Sequence, residues 1–183
     1  MSTRGFVGFV LDGVEKIYVT HGDAYPSGSG VGVLRWVTAN LDGLLLPEPG
    51  GVLDRIRALR VVADPPVLNP ADAERPRARL GDDAADGHRP EFAADDPDAT
   101  LLTGFVVDGS DFPTDSRHCE WGYVVDLDRS VFEVYRGFQH AAPTTGRFVG
   151  RGSAGRHPVA LVAAWHLVEL PNRDGFLALP GAY

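Results

Sequence analysis

The first thirty residues, MSTRGFVGFVLDGVEKIYVTHGDAYPSGSG, constrain the fold more than any other stretch. Phe6 to Leu11 is an almost unbroken apolar run, which marks a strand covered on both faces. Asp12-Gly13 supplies the positive φ values that a two-residue type I′ turn requires. Glu15 to His21 then alternates, with Ile17 and Val19 on one face and Lys16, Tyr18 and Thr20 on the other. The pattern predicts a β-hairpin whose open end carries His21, Asp23, Tyr25 and Pro26 beside Ser2, Thr3 and Arg4.

A chain of 183 residues has room for one domain with a real core, so residues 1–183 are read as a single globular domain. No apolar run approaches the roughly 20 residues that a membrane helix needs. No basic start followed by an apolar segment marks a signal peptide. A single cysteine excludes an internal disulfide and suits a reducing compartment. The expected location is therefore the cytoplasm.

The net charge of −8 is unevenly spread. Asp64 to Asp115 holds 13 acidic residues against four arginines, a balance of −9, while the remainder has 12 acidic and 13 basic residues, a balance of +1. No basic stripe for nucleic acid results. Arg129 to Arg156 is mildly basic and reads as a solvated face. Lys16, the single lysine against 16 arginines, reads as a coding bias and receives no role.

Beyond the hairpin, Pro26 to Gly30 breaks the strand pattern, and Ser27 or Ser29 is placed to cap a helix. The Gly28-Ser29-Gly30 run lacks the endings of a phosphate loop or a dinucleotide fingerprint. Val33, Leu34, Val37, Leu41, Leu44 and Leu45 repeat at helical spacing. A second amphipathic helix is expected from Leu53, Ile56, Leu59 and Val62. Residues 65–100 hold six prolines and few large apolar side chains, and are read as a mobile acidic insert with at most a short helix. A short strand is predicted over Leu101 to Val107.

Residues 115–139, DSRHCEWGYVVDLDRSVFEVYRGFQ, hold a second hairpin. Trp121, Tyr123, Val125 and Leu127 alternate with Gly122, Val124 and Asp126. The turn falls at Asp128 to Ser130, and Phe132 and Val134 lie on the return strand. Gly146 to Gly155 reads as a flexible link with a strand candidate around Phe148. Pro158 to Leu170 mixes helix and strand signals and is taken as a strand, since a third long partner completes the sheet. A last short helix carries Phe176 and Leu177. The predicted class is α+β: a mainly antiparallel sheet of two hairpins plus a C-terminal strand, with two amphipathic helices packed on it.

The opening Met-Ser-Thr-Arg-Gly, the Asp23-Ala24-Tyr25-Pro26 loop and the Cys119-Glu120-Trp121-Gly122-Tyr123-Val124-Val125-Asp126-Leu127-Asp128 strand resemble a family of small bacterial, phage and fungal proteins. That resemblance implies no agreed activity. The layout more distantly resembles the N-terminal-nucleophile hydrolases, αββα sandwiches whose first strand begins with a Cys, Ser or Thr exposed by processing. That likeness implies Ser2 as nucleophile after removal of Met1. No match to such a family's oxyanion or substrate residues is recognisable in the chain.

Each candidate has a plainer reading. Ser2 after the initiator methionine is commonplace. Arg4 could orient a carboxylate, or anchor its strand by pairing with Asp23 or Asp126. His21 and Asp23 form a possible base and orienter, or a half-exposed histidine beside a loop cap. Tyr25, Trp121 and Asp126 are candidate binding residues. Cys119 beside His118 invites a thiolate reading, but strand neighbours point to opposite faces, so a buried inert thiol is expected. His118-x-Glu120 lacks the Cys-x-x-Cys of zinc deaminases. Asp126 and Asp128 could form a metal or acid/base pair, with turn formation the plainer role for Asp128. The acidic cluster around Asp82, Asp86, His88 and Asp95 lacks the pattern of a calcium loop, so no metal and no cofactor are expected.

Two function classes remain. One is a non-catalytic interaction or accessory protein, associated with phage or mobile elements, that binds a protein through the hairpin end and the acidic insert. The alternative is an N-terminal-nucleophile-like amide hydrolase acting on a small amide through Ser2, Arg4, His21 and Asp23. The interaction reading is preferred because no catalytic set is complete.

Overall fold

The computed structural model describes residues 3–20, 22–63 and 96–182. Strands β1 (Gly5–Leu11) and β2 (Val14–Thr20) form the first hairpin. Asp12 at φ 55° and Gly13 at φ 74° make the turn that the Asp-Gly pair dictates. Strands β5 (Trp121–Asp126) and β6 (Val131–Arg136) form the second, and β7 (Ala160–His166) adds to it antiparallel. The sheet order is β2-β1-β5-β6-β7, which sets β1 and β5, apolar up to Asp126, side by side in its interior. The class is α+β and the sheet mainly antiparallel. Its one parallel pair is β1 with β5, in register from Gly5↔Trp121 to Val10↔Asp126.

Alternation along the strands divides the core in two. Val7, Phe9, Tyr18, Tyr123, Val125 and Phe132 face the helices, where Val33, Val37 and Ile56 meet them. Those last residues come from α1 (Val31–Ala39) and α3 (Val52–Ala58), the two expected amphipathic helices. Phe6, Val10, Ile17, Val124 and Tyr135 face the other way, against Phe148, Val159 and Cys119 from irregular segments. The first strand is thus covered on both sides, as its unbroken apolar run requires. Among the described residues, the sheet has helices on one face and coil on the other, rather than a second stacked sheet.

Several local expectations need correction. The helix expected through Leu45 is split at Asn40 into α1 and α2 (Leu41–Leu45). Asn40 turns its amide back to donate to the Trp36 carbonyl at 2.9 Å, offering the backbone an alternative to a continuing helix. Neither Ser27 nor Ser29 caps α1; Ser29 Oγ instead donates to Asp23 O at 2.6 Å. Val62 lies not on α3 but on the short strand β3 (Arg60–Val62). The strand predicted from Leu101 begins as helix α4 (Pro97–Thr103), and only β4 (Phe105–Val107) is extended. Its signals were complete: Asp96 accepts from Asp98 N, Pro97 opens the first turn, and Gly104 closes it at φ 77°. Helix α4 also takes in the last residues of the expected insert; residues 65–95 lie outside the described residues. No strand forms around Phe148, which is instead buried edge-on to Tyr135, with ring centroids 4.9 Å apart. The final helix, α5 (Arg173–Leu177), carries Phe176 and Leu177 as expected.

Candidate functional site

The parallel pairing of β1 with β5 determines which candidates can meet. Gly5 lies between Thr20 and Trp121, so Arg4, Asp23, Tyr25 and Trp121 gather at one end of the sheet. Asp126 pairs with Val10, five residues further along, which is about 16 Å away at strand rise. The structure therefore separates Asp126 from the chain start. Ser2 and His21 lie outside the described residues.

At the chain-start end, the loop after β2 is tied by its own backbone. Asp23 O accepts from Ser29 N at 2.8 Å, and Tyr25 O accepts from Gly28 N at 3.0 Å and Gly30 N at 3.2 Å. Tyr123 Oη donates to Ala24 O at 2.9 Å, locking the loop to the central strand. Gly5 allows this packing, since a side chain there would bring its Cβ within 2.6 Å of Ala24 Cβ. Arg4 and Asp23 are exposed, and no ion pair joins them. Trp121 is buried, with the Arg136 guanidinium 5.6 Å from its ring centre, so its surface serves the core. Tyr25 is half-buried against the helix-side core. Thr3 and Thr20 are both buried, and the Thr20 hydroxyl has no hydrogen-bond partner.

The opposite end holds a polar cluster that sequence reasoning missed. Arg147, from the expected flexible link, is 9% exposed and donates to Glu133 Oε2 at 2.7 Å, to Asp126 Oδ2, and to Glu15 Oε1 at 3.1 Å. Glu133 and Asp126 side chains are each 2% exposed; this guanidinium is the cation paired with Asp126, while Glu133 also accepts from Arg129 at 3.1 Å. Burial opposes the Arg147 charge, but hydrogen bonds to Glu133 and Asp126 outweigh it and raise its pKa further. Tyr135 Oη donates to Glu133 Oε2 at 2.8 Å and accepts from Arg147 N at 3.1 Å. Burial is the main cause that pushes the Tyr135 phenol upward. Arg151 completes a fork on Glu15 at 2.6 and 2.9 Å. Asp126 pairs here, not with Arg4. Asp128, expected to shape its own turn, accepts from Asp12 N and Gly13 N at 2.8 Å each and so joins the two hairpin turns.

Lys16 also has a role its rarity concealed. Its ammonium is buried and donates to the carbonyls of Ile56 (2.8 Å), Arg57 (2.7 Å) and Leu59 (2.6 Å). These carbonyls lie at the C-terminal end of α3 and on Leu59 just beyond it, where a cation also meets the negative end of the helix dipole.

Cys119 is fully buried, with its thiol pushed well above the ordinary range by burial and by Glu120. His118 lies instead on a groove of about 560 Å³ beside the outer side of β2. Val19, Phe112, Asp108, Asp111, Asp115 and Arg156 also line that groove. Asp115 is held far below the usual carboxylate range, chiefly by its hydrogen bonds with Arg117. A second groove of about 390 Å³ runs between α1 and the start of α5, lined by Leu34, Arg35, Pro171 and Arg173 among others. Neither groove includes Arg4, Asp23 or Tyr25. No group of three or more metal-ligating side chains occurs among the described residues, and no helix among them is long and apolar enough to cross a membrane.

No family model, curated protein or solved structure matches the chain.

Proposed function

We propose that the protein is a non-catalytic interaction or accessory protein whose docking surface is the groove beside β2. The observation that carries this reading is the composition of that groove. Val19 and Phe112 give it an apolar element, and Asp108, Asp111 and Asp115 give it acidic groups, with His118 and Arg156 alongside. Among the described residues it holds no serine, cysteine or threonine to pair with His118 as a nucleophile. An apolar contact flanked by carboxylates suits a protein segment that presents an apolar anchor next to a basic residue. The resemblance of the chain's motifs to a family spread through bacteria, phages and fungi supports an accessory role carried on mobile elements.

A photo-crosslinking residue in place of Phe112, expressed in the native host, tests the proposal. A single predominant crosslinked protein is expected, lost when Asp111→Arg reverses the local charge. Absence of any crosslink from Phe112, or a crosslink indifferent to Asp111→Arg, would remove the groove as the docking surface.

The alternative is an amide hydrolase that uses Ser2 after removal of Met1. It is supported by the unpartnered Thr20 hydroxyl, buried at the same strand end as the exposed Arg4. A buried hydroxyl without a partner costs about 1–3 kcal/mol, and a bound ligand is one way to supply the missing bond.

A further inference from the structure

Arg55, Arg57, Arg129 and Arg151 each hold a carboxylate. Arg35 and Arg173 differ: both are exposed, and among the described residues neither guanidinium enters an ion pair or a hydrogen bond. In a chain with 25 acidic residues against 17 basic ones, carboxylates are not in short supply. Both arginines line the groove of about 390 Å³ between α1 and the start of α5. Val31, Leu34 and Thr38 recur along one side of α1 at helical spacing, so the groove follows roughly 10 Å of that helix. Ala39 and Pro171 extend its apolar surface. Its neutral polar side chains are already engaged. Thr38 Oγ1 donates to Leu34 O at 2.8 Å, and Asn172 Oδ1 accepts from Gly175 N at 2.8 Å. Among the described residues no carboxylate lines it. An apolar floor thus lies beside two cations that nothing neutralises.

We infer that this groove binds the anion of a medium-chain carboxylic acid, with the hydrocarbon along Val31, Leu34, Ala39 and Pro171 and the carboxylate on Arg35 and Arg173. Charge selects the head group. A guanidinium donates two parallel hydrogen bonds to a carboxylate, and no acid of the groove competes for either arginine. Size and backbone chemistry select the body. A turn of helix with its side chains, about 5.4 Å long and 10–12 Å across, already exceeds 390 Å³. An extended peptide laid along α1 finds no row of backbone partners for its own N–H and C=O groups. A hydrocarbon chain needs none. At roughly 30 Å³ for each water-sized group, the groove takes about a dozen, the bulk of an acid of about eight to twelve carbons. The site uses neither the groove beside β2 nor the chain start, and it holds whichever function operates there.

Calorimetric titration of the full chain with decanoate, hexanoate and decanol tests the inference, with wild type beside the double variant Arg35→Gln/Arg173→Gln. Wild type is expected to bind one decanoate per chain. Hexanoate should bind more weakly, by up to about fourfold for each methylene lost. Decanol, which keeps the chain and lacks the charge, should bind at least roughly tenfold more weakly than decanoate. The double variant should lose decanoate affinity by a similar factor and melt with wild type, since both arginines are exposed. In wild type, decanoate should shift the amide resonances of Leu34, Arg35, Thr38 and Arg173. If the double variant does not fold, those shifts and the comparison with decanol decide. No saturation at millimolar decanoate overturns the inference, as does a folded double variant that binds decanoate unchanged or decanol that binds equally well. The same amides shifting with protein concentration alone would assign the groove to a second copy, and shifting only with an acidic peptide would assign it to a protein segment; either result overturns it too.

Discussion

Replacing Arg147 by methionine should be among the most damaging single changes available in this chain. Methionine fills much of the same space, but Asp126 keeps its position at 2% exposure with no guanidinium against it, while Glu133, also 2% exposed, keeps only the ion pair with Arg129. Breaking a buried ion pair from one side costs about 3–5 kcal/mol, because the remaining charge is both desolvated and unpaired. A domain of this size loses roughly 2–4 °C of Tm per kcal/mol, so the melting point should fall by roughly 6–20 °C. Urea unfolding followed by tryptophan fluorescence gives the same quantity isothermally. A loss below about 1 kcal/mol, the scale of an exposed pair, would refute the reasoning.

Three further outcomes follow from individual contacts. Lys16→Met removes the donor from three carbonyls at the end of α3 and should lower stability by about 1.5–3 kcal/mol in denaturant unfolding, with Lys16→Arg recovering only part because the guanidinium is planar. Hydrogen bonds from Arg151, and then from Arg147, hold Glu15 below its ordinary value, so its contribution is complete above the unfolded value of about 4.3 and is lost as pH falls through the folded one. Glu15→Gln should therefore flatten the acid limb of the stability–pH curve while leaving its alkaline side unchanged. Cys119 should resist thiol reagents at neutral pH until the protein unfolds, and rapid labelling of the native state would contradict its burial.

Both hairpins were legible because their information is local. Asp12-Gly13 fixes one turn by backbone conformation, and the alternation from Trp121 to Leu127 fixes the strand of the other. The parallel contact of β1 with β5 joins residues more than a hundred positions apart, and no local pattern announces it. Yet that contact determines that Trp121, not Asp126, shares an end with Arg4. Arg147 was hidden in a glycine-rich link, but its need was visible from the strands. Asp126 follows Val124-Val125, and Glu133 stands between Phe132 and Val134, so each apolar strand carries a carboxylate that must be paired if buried. The sequence held the two acids, and only the fold could say which of 16 arginines meets them. Lys16 teaches the same lesson. A residue present once was read as coding bias, whereas its alternation with Tyr18 already placed it on the helix-facing side of β2.

The claim that this protein binds rather than reacts is tested most directly at Ser2. Chain made without an N-terminal tag is measured by intact mass, before and after exposure to an amide-directed covalent probe, beside Ser2→Ala and a chain extended at its start. An N-terminal nucleophile uses its own α-amine as base, with an unperturbed pKa of about 7.7–8.0, and cannot work while Met1 remains. The interaction reading predicts no adduct in wild type, whether or not Met1 is removed. A stoichiometric adduct on chain that begins at Ser2, absent from both Ser2→Ala and the extended chain, would contradict it and establish the hydrolase.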